Sequence, residues 1–434
     1  MDVGTKKIAV IGSGISGLTA ALRLHNAGIE VELLERDSKL GGRFGIDTLG
    51  DRSVMLGGKN IGRKYSSLRA FLRSLGVENY EEFGINSSRV IDGRILTLDS
   101  SKRLQSLKSI LQMGTLGDLL KLTRIAVRVH KDKSARFLGS ELSSNLYSRY
   151  GDEVLSEFFG RKITSNMLRS MTVRINGAEP NEFYLSNFGT NLAMVMDTYD
   201  QLANGIQPAL NSISRMIQIK VEKRVIGLCL AGKKCQGVLV YDESRNERIE
   251  LGCDGVILAM PADSAAEILA KSMPRLSGLL RQIAYYPATV GVIEYDDSIF
   301  SYDVRAIVME DGPCSNVGAY GINDRNIVRY TFSGKQGRLD NPGEQYVQEL
   351  IRTTERKLEN YLGMSVPAQV HGVFRHWKTA HCAYAPDYPR LLDSIREQVE
   401  SVRGLELAGD YLQGVSLESC CRSGEAAAAM MLEN

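Results

Sequence analysis

The chain has 434 residues, of which 43% are hydrophobic and 24% charged, a composition that predicts a folded globular protein rather than a disordered or coiled-coil one. Its 53 Lys and Arg residues nearly balance 51 Asp and Glu residues, so the net charge of +2 argues against a chain-wide nucleic-acid-binding surface. At roughly 100 to 200 residues per domain, we expect two domains.

The sequence carries no sign of export or of a bilayer span. Nothing approaches the roughly 20 consecutive apolar residues that a spanning helix requires. No basic leader with an apolar stretch precedes the strand-like run at 8–11, so a signal peptide is not expected.

The seven cysteines are an odd number without C-x-x-C spacing, which favours buried thiols and a cytoplasmic location. His371, His376 and His381 match neither one helix face nor one strand face, so we expect no metal site.

The predicted elements form three groups along the chain. A β-α-β unit comes first, a run of strands too closely spaced for crossover helices follows much later, and a strand with an alanine-rich helix comes last. In chain order these elements are strand 7–11, helix 15–27, strand 30–34, helix 66–75, strands 217–221, 225–230, 237–241 and 255–259, strand 405–408 and a helix ending at Met431.

The strongest local motif is G-x-G-x-x-G between the first strand and the first helix. Gly12 permits a tight turn, Gly14 lets a pyrophosphate approach the backbone N–H groups, and Gly17 lets the helix pack closely on the strand. Glu35 ends the second strand and could accept hydrogen bonds from ribose hydroxyls. Together these features predict a dinucleotide site rather than a simple glycine-rich turn.

Further glycine motifs indicate which dinucleotide binds. Leu40-Gly41-Gly42-Arg43 follows Glu35, and Leu56-Gly57-Gly58-Lys59 comes next. Here the sequence resembles the flavin-dependent superfamily that contains amine oxidases, protoporphyrinogen oxidases and phytoene desaturases. The resemblance implies FAD as the cofactor, with Arg43 as a ligand of its pyrophosphate and the run at 57–62 passing beside the flavin ring.

The resemblance continues to the end of the chain. The run 219–226 resembles the strand that holds the adenine end, 254–261 resembles a strand ending in Ala-x-Pro, and 408–410 with 423–427 resembles the final flavin motif, whose helix N-terminus favours negative charge on reduced flavin. The cofactor-binding residues that the resemblance implies are Gly12, Gly14, Ser16, Gly17, Glu35, Arg36, Gly42, Arg43, Gly57, Gly58, Val225, Gly409, Asp410 and Leu417.

The expected fold is α/β, with a Rossmann-like FAD-binding domain assembled from discontinuous segments and an α+β substrate-binding domain. We assign 1–78, 212–268 and 398–434 to the FAD-binding domain. The intervening stretches, 79–211 and 269–397, form the predicted substrate-binding domain.

Three residues are candidates for a catalytic role. Lys59 could orient a substrate carboxylate or stabilise reduced flavin, and the alternative is a solvated lysine or a phosphate contact. By resemblance, Trp377 and Tyr384 line the flavin. Cys382 stands where relatives commonly have proline, and we expect FAD to be bound non-covalently rather than through this thiol.

Residues 101–136 carry nine basic side chains and two acidic ones, a local charge of +7. Seven apolar residues lie beside them at helical spacing. This pattern predicts a peripheral contact with an anionic membrane, an entry for a hydrophobic substrate, or a solvated helical face. These residues are Leu104, Leu107, Ile110, Leu111, Leu116, Leu119 and Leu120.

The predicted function is FAD-dependent oxidation. An oxidase or desaturase would remove a hydride from a C–H bond of a hydrophobic or biosynthetic small molecule to flavin N5, and oxygen or another acceptor would reoxidise the flavin. An amine or amino-acid oxidase is the second interpretation. A flavin-dependent isomerase without net redox chemistry, or a membrane-associated flavoprotein, is the third. Substrate, acceptor and oligomeric state stay open.

Overall fold

The computed structural model describes residues 6–91 and 93–433, with the backbone alone at position 103. Its strands are β1 Lys7–Ile11, β2 Glu30–Leu34, β3 Ile46–Leu49, β4 Arg52–Met55, β5 Ile61–Gly62, β6 Tyr80–Glu82, β7 Asn86–Ile91, β8 Arg94–Asp99, β9 Tyr199–Leu202, β10 Gln218–Lys220, β11 Lys223–Ala231, β12 Lys234–Asp242, β13 Glu247–Gly252, β14 Gly255–Leu258, β15 Ala284–Tyr295, β16 Ala306–Val308, β17 Cys314–Ala319, β18 Ile327–Phe332, β19 Gln369–Tyr384 and β20 Leu405–Leu407.

The α-helices lie mainly between these strands and at the C-terminal end of the described chain. They are α1 Ile15–Asn26, α2 Ser66–Ser74, α3 Arg103–Met113, α4 Leu116–Lys131, α5 Glu141–Tyr150, α6 Leu155–Phe158, α7 Arg161–Ile163, α8 Arg169–Asn176, α9 Phe188–Val195, α10 Gln207–Met216, α11 Ala262–Leu269, α12 Pro274–Leu280, α13 Glu344–Leu362, α14 Tyr388–Glu400, α15 Asp410–Gln413 and α16 Leu417–Glu433.

A parallel sheet of order β10-β2-β1-β14-β20 joins three distant stretches of the chain. Strand β1 lies between β2 and β14, and β14 also pairs with β20. The central strands are buried on both faces, as parallel strands covered by helices require. The sheet therefore brings the carboxyl ends of β1, β2 and β14 to one edge, where open α/β sheets bind ligands.

The second large sheet has the order β19-β15-β18-β17-β16-β7-β8 and is antiparallel except where β16 meets β7. Strands β15 and β19 form its longest pair, and both also contact β3. A smaller sheet, β5-β9-β6, pairs strands on either side of residue 78. The division of the chain into two domains stays a prediction.

The predicted α/β class is confirmed, and most predicted elements lie within one or two residues of the observed ones. Strand β13 was missed, because its charged sequence lacks an apolar run. The C-terminal helix is split in two, since Gly414 takes a φ of 121° between α15 and α16. No helix in the described ranges is long and apolar enough to cross a membrane.

Helices α1 and α16 approach each other more closely than side chains would permit. A methyl group placed on Gly424 of α16 would collide with the backbone carbonyl oxygen of Ser16 in α1. The contact brings α16 directly against the first turn of α1. Glycine at 424 is therefore a packing requirement of the nucleotide-binding region.

We expect Gly424→Ala to lower the stability of the fold by about 1–3 kcal/mol, the usual cost of overpacking a close contact. The matched control is Gly278→Ala in α12, where an added methyl meets no described atom within 4 Å and helix propensity favours alanine. Denaturant unfolding of both variants measures the difference. Equal stability of the two variants would contradict the close-packing argument.

Candidate functional site

The turn between β1 and α1 has the geometry of an anion site. Gly12 has a φ of +103°, and a methyl group there or on Gly17 would collide with a backbone carbonyl oxygen. Gly14 differs, because an added Cβ would meet no described atom within 4 Å. As the N-cap of α1, Gly14 supplies no side-chain hydrogen bond, and the first turn contains no acidic residue. The first turn of α1 thus lacks a side-chain cap and has open space beside Gly14, which suits a phosphate.

Glu35 closes this turn from the end of β2. Its Oε2 accepts hydrogen bonds from the backbone N–H of Ser13 at 2.8 Å and from Ser13 Oγ at 2.5 Å, and its Oε1 accepts from the N–H of Asp37 at 3.0 Å. Ser13 Oγ also accepts from the N–H of Gly41 at 3.1 Å. The buried carboxylate therefore fixes two glycine turns relative to each other and keeps lone pairs for a ribose hydroxyl.

Arg43 and Asp410 form an ion pair between the two ends of the sequence. Arg43 Nη1 lies 2.7 Å from Asp410 Oδ2 and donates a second hydrogen bond to the carbonyl oxygen of Ala380 at 3.0 Å. Burial opposes the charge on Arg43, but the neighbouring Asp410 and Tyr285 outweigh it and raise the pKa of the guanidinium. Tyr285 donates to Asp410 Oδ1 at 2.6 Å.

This arrangement refines the prediction for Arg43. The side chain of Asp410 is 4% exposed, whereas that of Arg43 is 32% exposed although protein surrounds it. Within the described chain, hydrogen bonds to protein acceptors involve only Nη1 of Arg43. Its Nε and Nη2 atoms can therefore face a phosphate while Asp410 holds the other side of the guanidinium.

The second glycine run lies directly beside Arg43. The N–H of Gly58 donates to the carbonyl oxygen of Arg43 at 3.0 Å, and a methyl group on Gly57 would collide with that same oxygen. A Cβ on Gly58 would lie 3.2 Å from the side chain of Leu417, the first residue of α16. Gly42, with a φ of +51°, approaches Gly14. Most of the predicted cofactor residues thus converge, although their individual roles stay predictions.

The remaining predicted cofactor residues divide into three that join this region and one that stands apart. Val225 is buried in β11, whose first residue donates its N–H to the carbonyl oxygen of Glu35. Ser16 lies in the first turn of α1, and Gly409 donates its N–H to Ser423 Oγ at 3.0 Å. Arg36 is 63% exposed and its nearest charged partner is the adjacent Asp37.

Lys59 is buried, with 6% of its surface exposed, so the alternative of a solvated lysine is wrong. Its Nζ donates to Gln201 Oε1 at 2.7 Å and to the carbonyl oxygen of Tyr320 at 2.6 Å, and lies 3.7 Å from the centre of the Phe83 ring. Burial, and then repulsion from Arg329 and Arg174, lowers the pKa of Lys59 well below its usual value.

Trp377 and Tyr384 lie at different places along β19. Trp377 packs on an apolar cluster that also contacts Tyr320, and is therefore close to the surroundings of Lys59. Tyr384 has a φ of +69° and is buried between the rings of Phe183 and Tyr388 in another cluster. The structure brings Trp377 and Lys59 to one region and leaves Tyr384 in a separate one.

Cys382 and the three histidines lie on the same long strand. Burial raises the pKa of the Cys382 thiol well above its usual value, which keeps the thiol protonated and unreactive. His371 contacts Glu294, and His376 contacts Thr289. His381 contacts a backbone carbonyl oxygen, and burial lowers its pKa to about 4. Within the described ranges, no group of three or more His, Cys, Asp or Glu side chains is arranged to hold a metal ion.

Sequence reasoning missed several residues of this region. Ser13 lies inside the glycine motif, and Tyr285 lies directly before Tyr286-Pro287, so the local sequence could have indicated both. Gln201, Arg174 and Arg329 come from segments without a recognisable motif. Only the folded chain brings these three to Lys59.

The family model for flavin containing amine oxidoreductases matches residues 15–432. The chain belongs to this family. Its cofactor is FAD, and it is an FAD-dependent oxidoreductase. The turn at Gly14, the carboxylate of Glu35 and the available nitrogens of Arg43 fit the phosphates and ribose of that cofactor.

The named relatives are distant or similar over short stretches. Amine oxidase [flavin-containing] B from Rattus norvegicus is 36% identical over 75 residues, which cover 17% of this chain and 14% of that enzyme. Protoporphyrinogen oxidase 2 from Arabidopsis thaliana is 22% identical over 99% of this chain and 94% of its own length. Cyclohexylamine oxidase from Brevibacterium oxydans IH-35A shares the fold, with a TM-score of 0.71, 17% identity and 99% coverage of both chains.

We expect Gly14→Asp to weaken FAD binding at least about 100-fold, since charges some 4 Å apart at an effective dielectric near 20 repel by about 4 kcal/mol. The control is Gly14→Asn, which has the same shape without the charge. Both residues are favoured N-caps, and a Cβ at this position meets no described atom within 4 Å, so the apoprotein should unfold at the wild-type temperature. Equal FAD dissociation constants for the two variants would contradict a phosphate at this turn.

Proposed function

We propose that the protein oxidises a C–H bond, next to carbon or nitrogen, in a hydrophobic or biosynthetic small molecule. When bound, FAD supplies the hydride acceptor at N5, and oxygen or another acceptor reoxidises it. The observation that carries the proposal is the position of Lys59. It is buried beside Gly57 and Gly58, the run predicted to pass the flavin, with Phe83 and Tyr320 around its ammonium group.

The residues around Lys59 provide positioning rather than proton transfer. Gln201 and the carbonyl oxygen of Tyr320 hold the lysine nitrogen in one place, and Phe83 and Tyr320 exclude water from it. Trp377 extends the apolar wall. A substrate held against these rings would present its C–H bond in a dry site, where fixed charges act strongly.

Anaerobic mixing tests the redox proposal. A hydrophobic donor that is a substrate should bleach the visible absorbance of the flavin in stoichiometric amounts, and air should restore it. An amine or amino-acid oxidase would in addition release ammonia or an aldehyde. Product formation without bleaching would identify an isomerase and contradict net oxidation.

We expect Lys59→Met to reduce turnover about 10- to 100-fold while FAD stays bound, because hydrogen bonds to charged groups contribute about 1.5–3 kcal/mol. The matched control is Lys64→Met, an exposed lysine five residues along, which should leave turnover unchanged. Steady-state rates normalised to bound flavin give the comparison. Wild-type turnover in Lys59→Met would remove the lysine from the mechanism.

We also propose that α3 and α4 contact an anionic membrane surface. Leu104 is 81% exposed and Leu116 is 74% exposed, and three further leucines of these helices are more than half exposed. Exposed cations flank them, among them Lys108, Lys121 and Arg124. Apolar side chains beside basic ones are the pattern of helices that lie in a lipid interface.

Reversing three charges, Lys108→Glu, Lys121→Glu and Arg124→Glu, should abolish sedimentation with vesicles containing phosphatidylserine, since each cation near the surface contributes about 1 kcal/mol. A control with Lys271→Glu, Arg275→Glu and Arg352→Glu makes the same change in net charge at exposed sites elsewhere and should still bind. Absence of wild-type binding to these vesicles would end the membrane proposal.

A further inference from the structure

A pocket of about 480 Å³ lies within the predicted substrate-binding domain. Its walls come from Ser156 of α6, from Thr164 and Arg169 in consecutive helical turns, from residues 179–181, and from residues 335–336 after β18. None of these is a predicted cofactor or catalytic residue. The volume falls within the roughly 300–1,000 Å³ that is typical of small-molecule sites.

An ion pair between Arg169 and Glu179 forms one wall of the pocket. Arg169 Nε lies 2.8 Å from Glu179 Oε2, and Arg169 Nη2 lies 3.2 Å from Oε1. The same Oε1 accepts a hydrogen bond from the backbone N–H of Lys335 at 3.1 Å. The acid therefore joins two walls, and it occupies the two-pronged face of the guanidinium.

The ammonium group of Lys335 gives the pocket an unbalanced positive charge. Arg169 and Glu179 cancel each other, so two cations and one acid leave the lining at +1. Within the described chain, no carboxylate lies at ion-pair distance from Lys335. Glu182, the next acid after Glu179, is held by Arg338, whose Nη1 donates to Glu182 Oε1 at 2.9 Å.

The remaining polar groups of the lining are available mainly as donors. Gln336 Oε1 accepts from the backbone N–H of Gly312 at 2.8 Å, which leaves the amide nitrogen of Gln336 free to donate. The Thr164 hydroxyl oxygen is buried and has no hydrogen-bond partner among the described residues. In the same part of the chain, the side chains of Ser156 and Asn181 also lack a partner. Unpaired polar groups of this kind are completed by a ligand or by ordered water.

The backbone is irregular where it borders the pocket. Thr164 is the first residue of a π-helical turn, Thr164–Leu168, which lies between α7 and α8. Such turns are rare and are frequent at functional sites, because they shift side chains away from their regular helical positions. The turn ends directly before Arg169, so both ends of this irregular segment contribute a side chain to the lining.

We propose that this pocket binds a phosphate monoester of a small polyol. A planar carboxylate matches an arginine fork, but Glu179 already occupies the fork of Arg169, whereas the free ammonium of Lys335 can bind a tetrahedral phosphate as a point charge. The hydroxyl and amide groups of the lining match alcohol groups, which both donate and accept hydrogen bonds. The site goes beyond the proposed function and does not depend on it.

Calorimetric titration of the FAD-loaded protein tests the class of ligand. Ribose 5-phosphate and glycerol 3-phosphate should bind, whereas ribose, glycerol and the carboxylate glycerate should bind at least about tenfold more weakly, since the charged phosphate makes the stronger hydrogen bonds. Absence of binding by both phosphate esters would overturn the proposal. Equal binding of glycerate and glycerol 3-phosphate, or of inorganic phosphate and both esters, would overturn the assignment to a phosphate ester. Release of FAD during the titration would assign the binding to the cofactor site instead.

Variants of two lining residues locate the binding. Lys335→Met removes the free cation and should weaken binding of ribose 5-phosphate at least about tenfold. Thr164→Val keeps the shape of the side chain and removes the unpartnered hydroxyl, so binding should weaken about three- to tenfold while the melting temperature does not fall.

The matched control is Lys271→Met, at an exposed lysine between α11 and α12 that does not line the pocket. This variant should bind ribose 5-phosphate as the wild type does. Wild-type affinity in both Lys335→Met and Thr164→Val would show that the ester binds elsewhere and would overturn the proposal.

Discussion

Close packing around the first turn of α1 is the constraint on which the rest of the structure depends. Gly12 and Gly17 let that turn approach β14, and Gly424 lets α16 approach the same turn from the other side. Side chains at these positions would separate strand and helices by the width of a methyl group. At Gly14, by contrast, an added Cβ would meet no described atom within 4 Å.

Polar contacts then hold the distant parts of the chain around this turn. Glu35 fixes the first glycine turn to the second through Ser13, and Asp410 holds Arg43 and Tyr285 with one carboxylate. Each of these acids is buried and accepts more than one hydrogen bond. A buried carboxylate that accepts several hydrogen bonds can hold separate segments together, because these charge-assisted hydrogen bonds offset the cost of its desolvation.

The cations near Lys59 differ from Arg43 in their electrostatic surroundings. Arg43 has an acid partner that raises its pKa, whereas Lys59, Arg174 and Arg329 repel one another and lose hydration. The first arrangement stabilises the fold. The second does not, because burial and repulsion outweigh the attraction of the nearby acids for Lys59. The contrast separates the structural charges of this protein from its candidate functional ones.

The sequence by itself determined the α/β class, the nucleotide turn and the cofactor family, because glycine spacing, strand periodicity and the position of Glu35 are local properties of a β-α-β unit. It also located Lys59, but not its burial. Tertiary structure alone decided that Arg43 meets Asp410, 367 residues away, and that Arg174 and Arg329 approach Lys59. Such contacts depend on how separate sheets and helices pack, and a single sequence contains no periodic signal for them.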